Sequence, residues 1–160
     1  MKTYSKHLDT ISSCPFCDPT DSDIIHTYSH RVLVDAYFPY CDGHMLLCPI
    51  RHISSYIQLS SQELIELNKI QPQLLQKYYT HDYQEVSVLI RDGVQSTTKT
   101  KKSTTGKTLN HLHIHFIPDL PIWAEHLIWK KWFTRTPVTQ QQQNINRNIA
   151  SSKRFPCIYT

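Results

Sequence analysis

Hydrophobic and polar residues alternate most regularly in residues 110–118, Asn-His-Leu-His-Ile-His-Phe-Ile-Pro. Successive side chains of an extended strand point to opposite faces, so this stretch predicts a strand with two unlike faces. One face would hold Leu112, Ile114 and Phe116, and the other would hold His111, His113 and His115. The apolar face is typical of a half-buried strand. The histidine face indicates chemistry, since imidazole can act as a nucleophile, a proton carrier or a metal ligand.

Shorter apolar runs predict four more strands and a long helix. The strands are expected over residues 24–25, 32–34, 44–49 and 86–90. A capping box formed by Ser60 and Glu63 marks the start of the helix. The apolar stripe of this helix recurs at steps of three and four residues, at Leu64, Leu67, Ile70, Leu74 and Tyr78. Pro72 lies within the stripe and predicts a kink or a break. Aromatic-rich residues 127–133 predict a second, short helix.

Length and composition favour one domain and limit its partners. The chain has 160 residues, of which 39% are hydrophobic, so it can bury a sizeable core. We expect a domain over residues 1–134 with a flexible Ser/Thr/Lys-rich loop at 95–105, followed by a poorly ordered tail at 135–160. The formal charge of +4 is too small to indicate nucleic-acid binding. No apolar run approaches the roughly 18 residues of a membrane span, and we expect a cytoplasmic protein without a membrane partner.

Two of the five cysteines, Cys14 and Cys17, form a Cys-x-x-Cys pair. Two thiolates at this spacing can bind one tetrahedral zinc ion, with the other ligands supplied from far along the chain. His52 and His111 are the best candidates for those ligands. A redox pair and two packed free thiols remain alternatives, although a redox pair normally follows a strand in a thioredoxin-like unit.

Taken together, these motifs resemble the histidine-triad (HIT) superfamily of nucleotide hydrolases and transferases. The matching segments are the alternating histidines of 111–117, Gly43-His44 with Pro49-x-x-His52, the Cys14/Cys17 pair, and Gly-Lys-Thr at 106–108. The sequence Phe-Pro-Tyr at 38–40 is most similar to the dinucleoside-polyphosphate branch. The resemblance implies an α+β fold: a five-stranded antiparallel sheet, one long helix and a short C-terminal helix, commonly paired into a homodimer.

The resemblance also implies a mechanism. His113 would attack the α-phosphorus of a nucleotide and form a nucleotidyl-histidine intermediate, which water or another acceptor would resolve. A backbone carbonyl near His111 would hold the tautomer of His113. The implied catalytic residues are His113, His115, His111 and Thr108. The implied zinc site is structural, and its ligands are Cys14, Cys17, His52 and His111.

The substrate-binding residues implied by the resemblance are Asp35, Phe38, His44, Arg91 and Lys107. Asp35 would bind the ribose hydroxyls, and Phe38 would border the base. Arg91 and Lys107 stand where uncharged side chains are usual in the family, so positive charge is added beside the phosphates. We therefore expect a highly charged substrate, such as a dinucleoside polyphosphate. A nucleotidyltransferase or phosphorylase and a non-catalytic nucleotide-binding module remain the alternatives.

Overall fold

The computed structural model describes residues 13–94, 107, 109–119 and 137–151. Its strands are β1 (Ile24–Thr27), β2 (Arg31–Asp35), β3 (Met45–Pro49), β4 (Val86–Ile90) and β5 (Ile114–Pro118). The α-helices of this part of the chain are α1 (Ser61–Tyr79) and α2 (Gln140–Ser151), and Tyr56–Gln58 form a short 3-10 helix. The strands make one antiparallel sheet in the order β1-β2-β3-β5-β4. The predicted α+β fold with a five-stranded antiparallel sheet is confirmed.

The histidine-rich strand β5 lies inside the sheet, between β3 and β4. His115 is paired with Leu46 on one side and with Leu89 on the other. The apolar side chains at 112, 114 and 116 belong to the main core cluster beneath α1, as the alternation predicts. The prediction of a half-buried strand is wrong, because every residue of β5 is buried and the histidine face is covered as well. His113 directly precedes the hydrogen-bonded ladder, and His111 lies two residues before His113.

Helix α1 covers the apolar face of the sheet. The predicted capping box is present: the Ser60 hydroxyl accepts a hydrogen bond from the Glu63 amide, and the Glu63 carboxylate accepts one from the Ser60 amide. The helix continues through Pro72, so the alternative of a break is wrong. Ile70 and Leu74, on either side of Pro72, are both buried in the core cluster. Their packing keeps the helix continuous, although Pro72 has no N–H and cannot donate a backbone hydrogen bond.

Residues 137–151 correct part of the prediction of a poorly ordered tail at 135–160, and the rest of that predicted tail lies outside the described residues. Gln140–Ser151 form helix α2, with Ile149 buried in the core and Ile145 packed against it. Two isoleucines spaced four residues apart make a narrow apolar stripe, which the surrounding glutamines and asparagines obscure in the sequence. The helix is also tied to α1, because the Lys77 ammonium donates to the Ala150 carbonyl.

Some predicted features lie outside the described residues. They are the short helix at 127–133, the loop at 95–105 and Thr108. Neither α-helix in the described ranges is long and apolar enough to cross a membrane.

Candidate active site and metal centre

The imidazole of His113 is held in one tautomer by the backbone. Its Nδ1 lies 2.7 Å from the His111 carbonyl oxygen, so Nδ1–H donates and Nε2 keeps its lone pair. The side chain is only 5% exposed. Burial lowers the pKa of His113 to about 4, and the nearby positive charges of Lys107 and Arg91 act in the same direction. At neutral pH the ring is therefore uncharged and has a nucleophilic nitrogen available.

A second hydrogen-bond chain fixes the proton of His115. The Tyr40 amide donates to His44 Nδ1 at 3.2 Å, so the proton of His44 lies on Nε2. His44 Nε2 is 3.0 Å from His115 Nδ1 and donates to it. The proton of His115 consequently lies on Nε2, the atom that can donate to a phosphate oxygen. His44, predicted to bind substrate, is placed by the structure as the residue that orients His115.

The four predicted metal ligands lie together. The ligand atoms of Cys14, Cys17, His52 and His111 are all within 4.8 Å of one another. Cys17 Sγ is 3.0 Å from His52 Nδ1, and Cys14 Sγ is 3.3 Å from His111 Nδ1. Sulfur and nitrogen ligands of one tetrahedral zinc ion are separated by about 3.5 Å. The spacing and the donor types therefore fit such an ion.

The surroundings of His111 also fit a metal ligand. Its Nε2 lies 2.9 Å from the Pro49 carbonyl oxygen, so Nε2–H donates and the Nδ1 lone pair faces the cysteines. Burial lowers the pKa of His111, which keeps the ring neutral. Burial raises the pKa of Cys17 to about 11, and its hydrogen bond with Cys14 adds to that effect. A bound cation would supply the positive charge that thiolates at this position need.

Phe16 is part of this site, although the sequence pattern predicted a role only for the cysteines on either side of it. Its ring centroid lies 5.2 Å from that of His113 and 5.7 Å from that of His111. The signal that could have found it is an aromatic residue between two metal ligands. A turn held by a metal presents such a residue in a fixed direction.

Lys107 and Arg91, the two basic residues predicted to lie beside the substrate phosphates, have different surroundings. The Lys107 ammonium donates to the carbonyls of Ser54 and Gly93, both at 2.5 Å, and the side chain is 2% exposed. Lys107 thus joins two backbone segments and affects the histidines through its charge, which does not support the predicted direct contact with substrate. The Arg91 guanidinium donates to the Tyr40 hydroxyl at 3.3 Å and lies beside the loop that leads to His44.

The structure does not bring Asp35 to the histidines. Asp35 is paired with Met45, whose side chain lies in the core cluster on the helix side of the sheet. Cross-strand partners share a face, so Asp35 points to that side and the histidines point to the other. Its carboxylate accepts a hydrogen bond from Asn146 of α2, which favours a structural role. Phe38, predicted to border the base, is buried and packs edge-on against Tyr37.

The turn before His44 is fixed by contacts that the sequence did not predict. Gly43 has a φ of +84°, and an added Cβ would lie 2.8 Å from Pro118 Cγ and 2.9 Å from Tyr83 Oη. The hydroxyl of buried Tyr78 donates to the Gly43 carbonyl at 2.7 Å. Helix α1 therefore holds the backbone from which the His44 side chain projects. Only the glycine itself gave a sequence signal for this arrangement.

Comparisons with known proteins agree with the family that the motifs of this site indicate. The family model of the HIT domain matches residues 19–121, and the chain belongs to this family. An uncharacterised HIT-like protein of Mycoplasma genitalium is 24% identical over 114 residues, which cover 69% of this chain and 75% of that protein. The resemblance to the histidine-triad superfamily is thus confirmed.

Two solved structures illustrate the fold similarity. A zinc-bound histidine triad family protein from Mycobacterium smegmatis has a TM-score of 0.61 and 16% identity, over 86% of this chain and 94% of that one. The diadenosine triphosphate hydrolase of Plasmodium falciparum has a TM-score of 0.59 and 20% identity, over 82% of this chain and 76% of that one. At these identities the likeness shows a common fold.

Proposed function

We propose that this protein is a nucleotide hydrolase that cleaves its substrate at the α-phosphate through a nucleotidyl-His113 intermediate. The observation that carries the proposal is the hydrogen bond from His113 Nδ1 to the His111 carbonyl. It leaves a neutral Nε2 lone pair on a ring whose position is fixed. Fixed placement of the attacking atom supplies much of the catalysis in phosphoryl transfer.

In the first step, Nε2 of His113 forms a bond to the α-phosphorus as the bond to the leaving phosphate breaks. In the second step, water attacks the same phosphorus, the nucleoside monophosphate departs and His113 regains its lone pair. His115 Nε2–H, oriented through His44, would donate to the phosphate oxygens as negative charge develops. Thr108 is predicted to contact the phosphate or the leaving group.

We propose a dinucleoside polyphosphate as the substrate class. Arg91 lies beside the Tyr40–His44 segment, and buried Lys107 adds positive charge close to His113. Both charges favour a polyphosphate leaving group over an uncharged one. The comparison of kcat/KM for diadenosine tetraphosphate and for adenosine phosphoramidate tests this assignment. A clear preference for the phosphoramidate would overturn it.

Zinc is the metal we propose for the Cys14–Cys17–His52–His111 site. Four protein ligands leave no position for water, so the ion would connect the Cys14–Cys17 turn to the segment that contains His111 and His113.

We also propose a cytoplasmic homodimer. β4 lies at one edge of the sheet with Val88 exposed, and an edge strand can pair with a second copy. Light scattering on the purified chain tests the dimer.

A phosphorylase is the second candidate, because the charge of Arg91 would attract an anionic acceptor such as inorganic phosphate as well as a substrate phosphate. Addition of inorganic phosphate to the reaction distinguishes the two. From diadenosine tetraphosphate a hydrolase yields AMP and ATP whether or not phosphate is added, whereas a phosphorylase yields ADP and ATP and turns over faster with phosphate.

The replacement His113→Asn tests the nucleophile. The amide keeps a donor near the His111 carbonyl but offers no nucleophilic nitrogen. Turnover should be lost while nucleotide binding, measured by calorimetry, stays within about threefold of wild type. Unchanged turnover in this variant would refute the proposed function and would favour a non-catalytic nucleotide-binding module.

A further inference from the structure

The Cys14–Cys17 turn carries an aromatic ring onto the nucleophile. The turn is closed by a hydrogen bond from the Cys17 amide to the Cys14 carbonyl at 3.2 Å. Phe16 projects from it toward His113, with the two rings inclined at 47° and their centroids 5.2 Å apart. Both ends of the turn are metal-ligand candidates, so a bound ion would fix the base from which Phe16 extends.

The hydrogen bond to His111 alone does not fix the direction of the His113 ring. It holds Nδ1, and the ring can still rock about the bond unless its faces are packed. The centroid of the His115 ring lies 4.9 Å from that of His113, and the centroid of the Phe16 ring lies 5.2 Å from it. Rings at such separations are in van der Waals contact. Phe16 is therefore one of two rings whose contact can hold the direction of Nε2.

We propose that Phe16 is a positioning residue through which the metal site sets the orientation of the His113 ring. The proposal rests on the proposed role of His113 as the nucleophile. His111 offers a parallel route, because its ring faces the metal site and its carbonyl holds His113. Phe16 differs from it in acting by packing alone, so it can be replaced without removing a metal ligand or a hydrogen bond.

A matched control separates positioning from ordinary core packing. Phe16 and Ile24 both pack against the same group of buried side chains, which consists of Val32, Val34, Ala36, Leu46 and Cys48. Ile24 lies on β1 and pairs with Val34, and strands β2 and β3 separate β1 from β5. Ile24→Ala should therefore remove a comparable packing contact without changing the contacts of the His113 ring.

The first test measures formation of the His113 adduct by rapid quench and mass spectrometry with diadenosine tetraphosphate, using the zinc-loaded full chain. Phe16→Ala should slow adduct formation by about tenfold or more, since small misplacement of a reacting group is costly. Nucleotide affinity should not change, Phe16→Leu should recover part of the rate, and Ile24→Ala should keep the wild-type rate. Zinc content is measured for every variant. If Phe16→Ala loses its metal, the adduct rate of Phe16→Leu is compared with that of wild type instead.

The second test reads the His113 ring directly by NMR without substrate. In wild type, chelation of the metal should shift the His113 Cε1–H resonance, because the ring current of Phe16 changes. In Phe16→Leu that shift should be clearly smaller, since only the part transmitted through His111 remains. Equal shifts in both proteins, or an adduct rate unaffected by loss of the Phe16 ring, would overturn the inference. A wild-type chain that forms no adduct would instead overturn the proposed function, while the NMR result would still report on Phe16.

Discussion

The two ends of the histidine segment are held in different ways. At the His111 end, two thiols and two imidazoles converge from distant parts of the chain in an arrangement that could hold a metal ion. At the His115 end, His44 and the Tyr40 amide complete a hydrogen-bond chain without any ion. His113 lies between them and depends on both. We conclude that loss of metal and damage to the His44 turn should impair the protein in distinguishable ways.

The largest effect is expected at the metal end, from Cys17→Ser. This change should abolish zinc binding and the stability that the ion contributes. That contribution is about 4 kcal/mol at free zinc a thousandfold above the dissociation constant. Thermal unfolding with and without a chelator measures it. Chelation should lower the Tm of wild type and leave that of Cys17→Ser unchanged; an equal chelator effect on both would contradict the metal assignment.

The next largest effect is expected at the His44 turn, from Gly43→Ala. The new Cβ would collide with Pro118 and Tyr83, and the backbone has a positive φ, so we expect a loss of about 3 kcal/mol. Denaturant unfolding gives the value. Gly93→Ala is the control, since Gly93 also has a positive φ of +90° but no atom of the described residues lies within 4 Å of the added Cβ. A smaller loss, near 1 kcal/mol, is expected there. Equal losses would show that the close approach at Gly43 is unimportant.

The pH dependence of zinc affinity should also distinguish the His111 end from the His115 end. Burial raises the pKa of Cys17 to about 11, so zinc binding must release the Cys17 proton. Falling pH therefore weakens zinc binding, and this thiol alone contributes about tenfold per pH unit. Competition with a chromogenic chelator between pH 8 and 6 on the His44→Gln variant and on wild type measures the slope. The slopes should agree, because His44 lies at the metal-independent end; a changed slope would contradict that separation.

The smallest effect is expected from Tyr78→Phe. The variant keeps the ring in the core but leaves the Gly43 carbonyl without its donor, at a cost of about 1 kcal/mol. Tyr79→Phe is the control, since Tyr79 is 48% exposed. Chelator sensitivity should be unchanged in both variants. If Tyr78→Phe altered zinc affinity, the two ends would be coupled through α1.

Much of the site could be predicted because its residue types carry the signal. Alternation assigned the apolar residues of β5 to the core, and the thiol and imidazole chemistry of Cys14, Cys17, His52 and His111 identified a potential metal set whose members lie up to 97 residues apart. The capping box located the start of α1. These features depend on local spacing and on chemistry that few other residues share.

The remaining features depend on long-range packing, which local patterns do not encode. Helix α2 is a polar sequence that becomes ordered through Ile149 and through the contact of Asn146 with Asp35. Lysine often binds phosphate, yet the Lys107 ammonium donates to two backbone carbonyls. The contact of Phe16 with His113 brings together residues that no periodicity relates.

The proposed role of His113 as the nucleophile can be tested by rapid-quench mass spectrometry of the zinc-loaded protein with diadenosine tetraphosphate. We expect a nucleotidyl adduct on the peptide that contains His113, formed at least as fast as turnover and absent from His113→Asn. Turnover by wild type with no adduct, or with an adduct on another residue, would contradict it.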